Sequence, residues 1–231
     1  MEKKEVKYER KEKKGTKVDN KKNKKERRIE KELLLVIGFM GFLVLMFFIA
    51  SSIFKSFNTF EYQGLAFTRE RVGEIPVYHY YYYFKDSGGK IFQYNLYVRY
   101  DPRENDVVVE GDDIEFNAKK KTYITLNETE SLQRCKESVL AIAGLTSFLT
   151  DNQLNVGGGS TDFWEAGRKG QEWITCENKP NNVVISIMEG EETKIKINGK
   201  CHEITVANCE ILQTTEKYEI ESIIDAKKNS G

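Results

Sequence analysis

Hydrophobic positions divide the chain into three parts. Residues 33–54 carry no charged side chain, residues 1–31 hold few apolar ones, and residues 55–226 alternate short β-prone runs with one helical pattern. Twenty-two residues at roughly 1.5 Å each form a helix about 33 Å long, close to the thickness of a hydrocarbon core. Because this run is apolar on every face, it predicts a transmembrane helix at residues 32–54.

The charges around this run predict its orientation. Residues 1–31 contain fifteen Lys or Arg and seven Asp or Glu, whereas the whole chain has a net charge of zero. Positive flanks stay in the cytoplasm, so we expect a cytoplasmic N terminus and an exported C-terminal part in a single-pass membrane protein. Ala50-Ser51-Ser52 resembles a cleavage site, but the apolar run is longer than a signal peptide requires, which favours an uncleaved signal anchor.

The tail of residues 1–31 is too polar to fold alone and is predicted to be disordered. A basic cluster beside a membrane helix favours contact with anionic lipid headgroups. Nucleic acid is not an expected partner, because no aromatic residues are interleaved with the charges. The residues best placed for lipid contact are Lys21, Lys22, Lys24, Lys25, Arg27, Arg28 and Lys31.

The exported part is predicted to be α+β. Residues 55–126 form a β-rich aromatic lobe, with a strand over 60–67, a hairpin of strands 77–84 and 91–100, and short strands to residue 126. The alternative to two lobes meeting near residue 127 is one domain of about 170 residues.

The predicted second lobe spans residues 127–226. It begins with a long amphipathic helix, because Asn127 and Glu130 have capping-box spacing and apolar residues follow at helical intervals. A Gly-rich loop at 157–170 precedes an antiparallel meander of strands 172–176, 182–188, 193–197 and 201–206, with an Asn-Gly turn at 198–199. Residues 211–224 read as a strand or a short helix, and residues 227–231 as a frayed end.

Four cysteines, Cys135, Cys176, Cys201 and Cys209, all fall in the second lobe. An even number in an exported domain predicts two disulfides. A strand over 201–206 would carry Cys201 too far from Cys209 for a bond between them. Cys135 is therefore expected to pair with Cys201 or Cys209, and Cys176 with the other.

Aromatic residues provide the candidate binding face. In the run of residues 77–84, Tyr78, Tyr80 and Tyr82 share one side of a strand, and Tyr81 and Tyr83 share the other with His79. One side must join a core, so the other is a candidate platform for a glycan, a peptide or a protein. Trp164, beside the Gly-rich loop, is a further candidate.

The sequence contains no recognised catalytic or metal-binding motif. The two histidines, His79 and His202, have no matching nucleophile. The acidic clusters at 101–106, 110–115 and 189–192 are interpreted as solvated turns, and the first two lack EF-hand spacing, so no metal or cofactor is predicted. Asn127-Glu128-Thr129 is an N-glycosylation sequon that competes with the proposed helix cap.

The favoured hypothesis is therefore a membrane-anchored, extracytoplasmic domain with a binding or structural role at the cell surface. Its partners would be the bilayer and a surface protein or glycan. The alternatives are an envelope hydrolase with an unlocated carboxylate site, and an accessory subunit of a membrane complex.

Overall fold

The structure, a computed structural model, describes residues 31–52, 58–85, 88–127, 132 and 134–229. The basic tail up to residue 30 lies outside this range, and so do six of the predicted lipid contacts, Lys21, Lys22, Lys24, Lys25, Arg27 and Arg28. The chain forms two compact units, Met1–Phe57 and Asn58–Gly231.

The first unit contains helix α1, Lys31–Ser52, with a mean hydropathy of 2.9. Its large apolar side chains are exposed, Leu35 at 72% and Phe47 at 70%. Among the described residues, α1 is the one helix long and apolar enough to cross a bilayer. The structure thus confirms the predicted apolar helix near the N terminus, with Lys31 as its first residue.

A four-stranded antiparallel sheet opens the second unit, in the order β1-β2-β3-β4. Its strands are β1 (Thr59–Tyr62), β2 (Leu65–Val72), β3 (Ile75–Lys85) and β4 (Ile91–Val98). The predicted hairpin of β3 and β4 is confirmed. The predicted single strand over 60–67 is wrong, because Gln63 and Gly64 adopt positive φ angles of 46° and 78° and turn β1 back onto β2.

A six-stranded sheet follows, in the order β5-β9-β10-β8-β6-β7. Its strands are β5 (Val108–Gly111), β6 (Lys121–Leu126), β7 (Asn155–Ser160), β8 (Val183–Glu189), β9 (Lys194–Asn198) and β10 (Cys201–Val206). The β9–β10 hairpin is antiparallel as predicted, but β10 pairs with β8 in parallel. The predicted antiparallel meander is therefore wrong. Residues Val183–Ile187 are buried on both faces of β8, which suits an interior strand among parallel neighbours.

The Gly-rich stretch is not a loop but part of the edge strand β7, followed by the short helix α3 (Phe163–Lys169). Glycine is required at Gly159, where an added Cβ would lie 2.6 Å from both Glu172 O and Ile174 Cδ1. The chain that follows α3 therefore packs directly against β7. Its β-pairing with β7 is an isolated bridge between Ser160 and Trp173. The predicted strand at 172–176 is therefore also wrong.

Helix α2 (Ser138–Asp151) begins eleven residues after the predicted start, with Glu137 as its N-cap residue. Asn127 instead follows β6 and donates its backbone N–H to Ile187 O at 2.9 Å. Residues 128–131, which include the rest of the sequon, lie outside the described range.

Helix α4 (Ile211–Asn229) occupies the stretch predicted as a strand or short helix. It lies between the two sheets: Lys217 Nζ donates to Tyr62 OH of β1 at 2.7 Å, and Tyr218 OH lies 2.6 Å from His202 Nδ1 of β10. Buried residues of both sheets, α2 and α4 form one core. Strands β5 and β6 precede residue 127 but share a sheet with β8, β9 and β10. A division into two lobes near residue 127 would therefore cut through the six-stranded sheet.

Two disulfides tie the elements together. Cys135, just before α2, pairs with Cys209, just before α4, with Cα atoms 5.3 Å apart. Cys176 pairs with Cys201 at the start of β10, with Cα atoms 5.4 Å apart. The two predicted disulfides are therefore confirmed, with Cys135 bonded to one of the two expected partners and Cys176 to the other.

Candidate binding surface

The outer face of the four-stranded sheet carries a row of exposed rings. Tyr81, Tyr83 and Tyr97 are 53%, 62% and 52% exposed, and His79 lies between Tyr97 and Tyr81. The His79 and Tyr97 rings stack at 4.4 Å, and consecutive rings along β3 are 6.0 Å apart. We call Tyr97, His79, Tyr81 and Tyr83 the aromatic strip.

Polar neighbours fix the middle of the strip. His79 Nδ1 lies 2.9 Å from Glu70 Oε1 on β2, and His79 Nε2 lies 3.1 Å from Asn95 Oδ1 on β4. Gln93 Nε2 also donates to Asn95 Oδ1, at 3.0 Å. With both ring nitrogens engaged, the imidazole is held in one orientation and presents its face beside the tyrosine rings.

The inner row of β3 belongs to the core. Tyr78, Tyr80 and Tyr82 pack against Phe60, Phe67 and one another, and Tyr82 OH donates to Asn152 Oδ1 on α2 at 2.5 Å. Burial raises the pKa of Tyr80 and of Tyr82, so both stay neutral. Of the five tyrosines singled out in the sequence, the structure leaves Tyr81 and Tyr83 open to a ligand.

A cavity of about 380 Å³ opens beside Tyr97 at one end of the strip. Apolar side chains of β2, β3, α2 and α4 line most of it, with Arg99, Glu216 and Glu219 as its charged members. The full lining is Val72, Ile75, Val77, Tyr97, Arg99, Leu140, Ala141, Gly144, Leu212, Thr215, Glu216 and Glu219.

The two carboxylates of this cavity were not found from the sequence. Glu216 accepts backbone N–H bonds from Arg99 at 2.8 Å and Tyr100 at 3.0 Å. Burial raises its pKa to about 7, partly offset by these two bonds. Burial, together with the charge of Glu216, raises the pKa of Glu219 well above its usual value. Residues three apart share one face of a helix, so the spacing of Glu216 and Glu219 would have indicated a pair of carboxylates only if residues 211–229 had been assigned to a buried helix.

Trp164 is remote from the strip in the fold, because it lies on α3 beside β7. It is 82% exposed and meets Phe163 edge-to-face at 5.5 Å, while Phe163 meets Trp173 at 5.4 Å. We call Phe163, Trp164 and Trp173 the aromatic knob. Asp162 caps α3 by accepting the Glu165 N–H at 2.8 Å, which fixes the base of the knob.

The remaining candidates have structural surroundings. His202 is fully buried between Tyr218 OH and Gly199 O, and burial lowers its pKa to about 4. In the acidic cluster 110–115, Asp112 accepts the Gly199 N–H and Asp113 pairs with Lys228. No group of three or more His, Cys, Asp or Glu that could hold a metal occurs in the part of the chain that the structure describes.

The chain matches no family model, no curated protein sequence and no solved structure.

Proposed function

We propose that this chain is a single-pass membrane protein whose extracytoplasmic domain binds a protein partner through the aromatic strip. Helix α1 would be an uncleaved signal anchor with its N terminus in the cytoplasm. The observation that carries the binding role is the strip itself: Tyr81, Tyr83 and Tyr97 are at least half exposed and lie on the same face of the four-stranded sheet.

The composition of the strip favours a protein partner. Tyrosine is enriched at protein interfaces because it buries a large, stiff surface and keeps a polar end. The strip is flanked by the amides of Asn95 and Gln93 and by the carboxylate of Glu70, which can hydrogen-bond around the edge of a contact. An apolar centre with such a polar rim resembles the usual layout of an interface hot spot.

The disulfides and the charge pattern support the topology. Both cysteine pairs lie in the second unit, as expected in an oxidising compartment. A membrane-impermeant maleimide on intact cells should therefore label the cysteines only after reduction and denaturation. Labelling that requires cell lysis even after that treatment would place the domain in the cytoplasm and refute this topology.

The binding role can be tested by photo-crosslinking in native membranes. A photoreactive phenylalanine analogue in place of Tyr81 or Tyr83 should give a discrete adduct with one protein. The matched control places the analogue at Lys196, an exposed position on β9 of the other sheet. Equal adducts at Lys196 and on the strip, or none on the strip, would contradict the proposal.

Hydrolysis of an envelope polymer is a second candidate function, favoured by Glu216 and Glu219 in the cavity beside Tyr97. A carboxyl group with a pKa near 7 can act as a general acid. Against this reading, both oxygens of Glu216 already accept backbone N–H groups. Release of sugars or peptides from cell envelopes that is lost in Glu219→Gln but kept in Tyr83→Ala would favour the enzyme.

A further inference from the structure

The start of the domain and the aromatic knob lie at the same end of the second unit. Strands β6, β7, β8 and β10 are parallel, so their C-terminal ends share one edge of the sheet. Helix α4 begins five residues after β10, at that edge, and α3 begins three residues after β7 ends there.

Strand β1 runs alongside α4 in the same direction. Tyr62 contacts Lys217, and Gly64, two residues further on, contacts Lys227. Near the start of β1, the Phe60 ring lies 3.9 Å from the guanidinium of Arg103, and the nearby Asn105 bonds to Gln213 at the beginning of α4. Thr59, and with it the point where the chain enters the domain, therefore lies towards the first turn of α4. We call this the attachment end.

The attachment end exposes an unusual amount of apolar surface. Trp164 and Phe163 are 82% and 58% exposed, and Val139 and Leu140, at the start of α2, are 80% and 46% exposed. The Cys135–Cys209 bond holds the start of α2 next to the start of α4. Single exposed apolar residues are common on protein surfaces, but clusters of them usually mark interaction sites. The attachment end is therefore suited to contact with an apolar phase or a partner.

We infer that the aromatic knob inserts into the headgroup region of the bilayer that holds α1, an inference that rests on the membrane anchor proposed above. Only five residues separate Ser52 of α1 from Asn58 in the sequence. The attachment end is therefore the part of the domain that follows the proposed membrane anchor most directly along the chain. Tryptophan is enriched at the headgroup level of membranes, and phenylalanine accompanies it on the apolar face of segments that lie in the interface.

The shape of the knob favours lipid over a sugar chain. Its rings meet edge-to-face at interplanar angles of 80° and 88°, so they form a protrusion and not a flat platform. The Trp173 indole N–H already donates to Thr161 O at 3.1 Å. Arg168 is bound by Glu165, so the knob carries little free charge and should enter zwitterionic lipid.

The two tryptophans of the knob are the only ones in the protein, so tryptophan fluorescence, excited at a wavelength that tyrosine does not absorb, reports on the knob alone. The test uses the full chain in phosphatidylcholine nanodiscs whose acyl chains are brominated either near the headgroup or near the bilayer centre. We expect strong quenching by the shallow label and weaker quenching by the deep one. The Trp173→Phe variant, which retains only the more exposed Trp164, should be quenched at least as strongly as the parent.

Each other result overturns the inference. Unquenched fluorescence in discs that contain the chain would leave the anchor intact and remove the knob from the membrane. A failure of the chain to incorporate into discs at all would overturn the anchor and the knob's role together. A fluorescence shift on adding soluble envelope polysaccharide, equal in detergent and in discs, would assign the knob to a glycan.

Discussion

The aromatic strip and helix α4 both depart from the usual distribution of residues, the strip by exposing aromatic rings and the helix by burying charged side chains. The strip leaves Tyr81, Tyr83 and Tyr97 in solvent, whereas α4 buries Glu216, Lys217 and Glu219 to 7% exposure or less. Aromatic rings normally lie inside and these charges outside. The position of each element explains the difference, because α4 lies between two sheets, whereas the tyrosines of the strip lie on the outer face of the four-stranded sheet and are at least half exposed.

The comparison teaches that burial of a charge follows from layer position and is tolerated where a partner exists. Lys217 Nζ bonds to Tyr62 OH and lies 2.9 Å from Glu221, and Glu216 accepts two backbone N–H groups. These contacts offset the cost of desolvation. The strip buries no charged group that would have to be stabilised in this way. It instead exposes apolar ring surface to water, which is unfavourable, and a binding partner would remove that surface from water.

The largest difference in stability is expected between replacing a buried tyrosine of α4 and replacing an exposed tyrosine of the strip. Tyr218→Ala removes a fully buried ring that contacts His202 and Phe116, and should lower the free energy of unfolding by about 3–5 kcal/mol. Tyr83→Ala, the matched change on the strip, should alter it by about 0.5 kcal/mol or less. Denaturant titration with disulfides intact measures both, and equal losses would show that the strip is part of the core.

The second prediction concerns the pH dependence of Glu216. Its pKa is about 7 in the folded state against 4.5 for the free group, so the folded protein binds more protons between these values. Folding stability contributed by the protonated group is thus complete below about pH 4.5 and is lost as the pH rises through 7, by about 3 kcal/mol. The measurement is the difference between the unfolding free energies of the parent and Glu216→Gln across this range.

A difference profile is needed because His202 acts in the opposite direction. Its pKa of about 4 means that the unfolded chain binds more protons between pH 4 and 6.5, so stability from His202 rises with pH there. The parent curve therefore mixes contributions of opposite sign, including that of Glu219, whose pKa is also raised. A difference profile that stays flat from pH 4.5 to 7 would refute the burial of an ionisable Glu216.

Local sequence patterns predicted the elements whose hydrophobic residues recur with a clear periodicity. They failed for elements whose structure is determined by long-range contacts in the fold. The β3–β4 and β9–β10 hairpins were predicted because alternation and turn residues are local signals. The six-stranded sheet was not, since the parallel pairing of β10 with β8 depends on contacts that no turn encodes. The choice between a strand and a short helix for residues 211–224 stayed open, because a helix buried on all sides over most of its length shows no amphipathic stripe. The same absence hid Glu216 and Glu219.

The candidate surfaces were only half predictable for the same reason. Parity along β3 separated Tyr81 and Tyr83 from Tyr78, Tyr80 and Tyr82, but not which row faces the core. That choice is made by α2 and α4, which cover the inner row, as the bond of Tyr82 to Asn152 shows. Trp164 was singled out as an aromatic residue near a loop, and its place on a capped helix at the attachment end could be seen only in the fold.

A smaller change tests the polar contacts of α4. Tyr218→Phe keeps the ring but leaves His202 Nδ1 without its partner in a fully buried site, which should cost about 1–3 kcal/mol. The control on the strip is Tyr81→Phe, whose hydroxyl group is on a half-exposed ring and should be dispensable for stability. Denaturant midpoints that shift equally in both variants would contradict the assignment of the buried pair.

The smallest effect on stability is expected at His79. Its contact with Glu70 is partly solvated, and polar contacts of this kind at a surface contribute about 0–1 kcal/mol, so His79→Ala should barely shift the denaturant midpoint. The same change removes the ring that stacks on Tyr97 at 4.4 Å and should loosen Tyr97 on its strand. Photo-crosslinking from Tyr83 should therefore weaken in His79→Ala although the fold persists. A stability loss as large as that of Tyr218→Phe would instead mean that His79 holds the sheet together, and the strip would lose its distinction from α4.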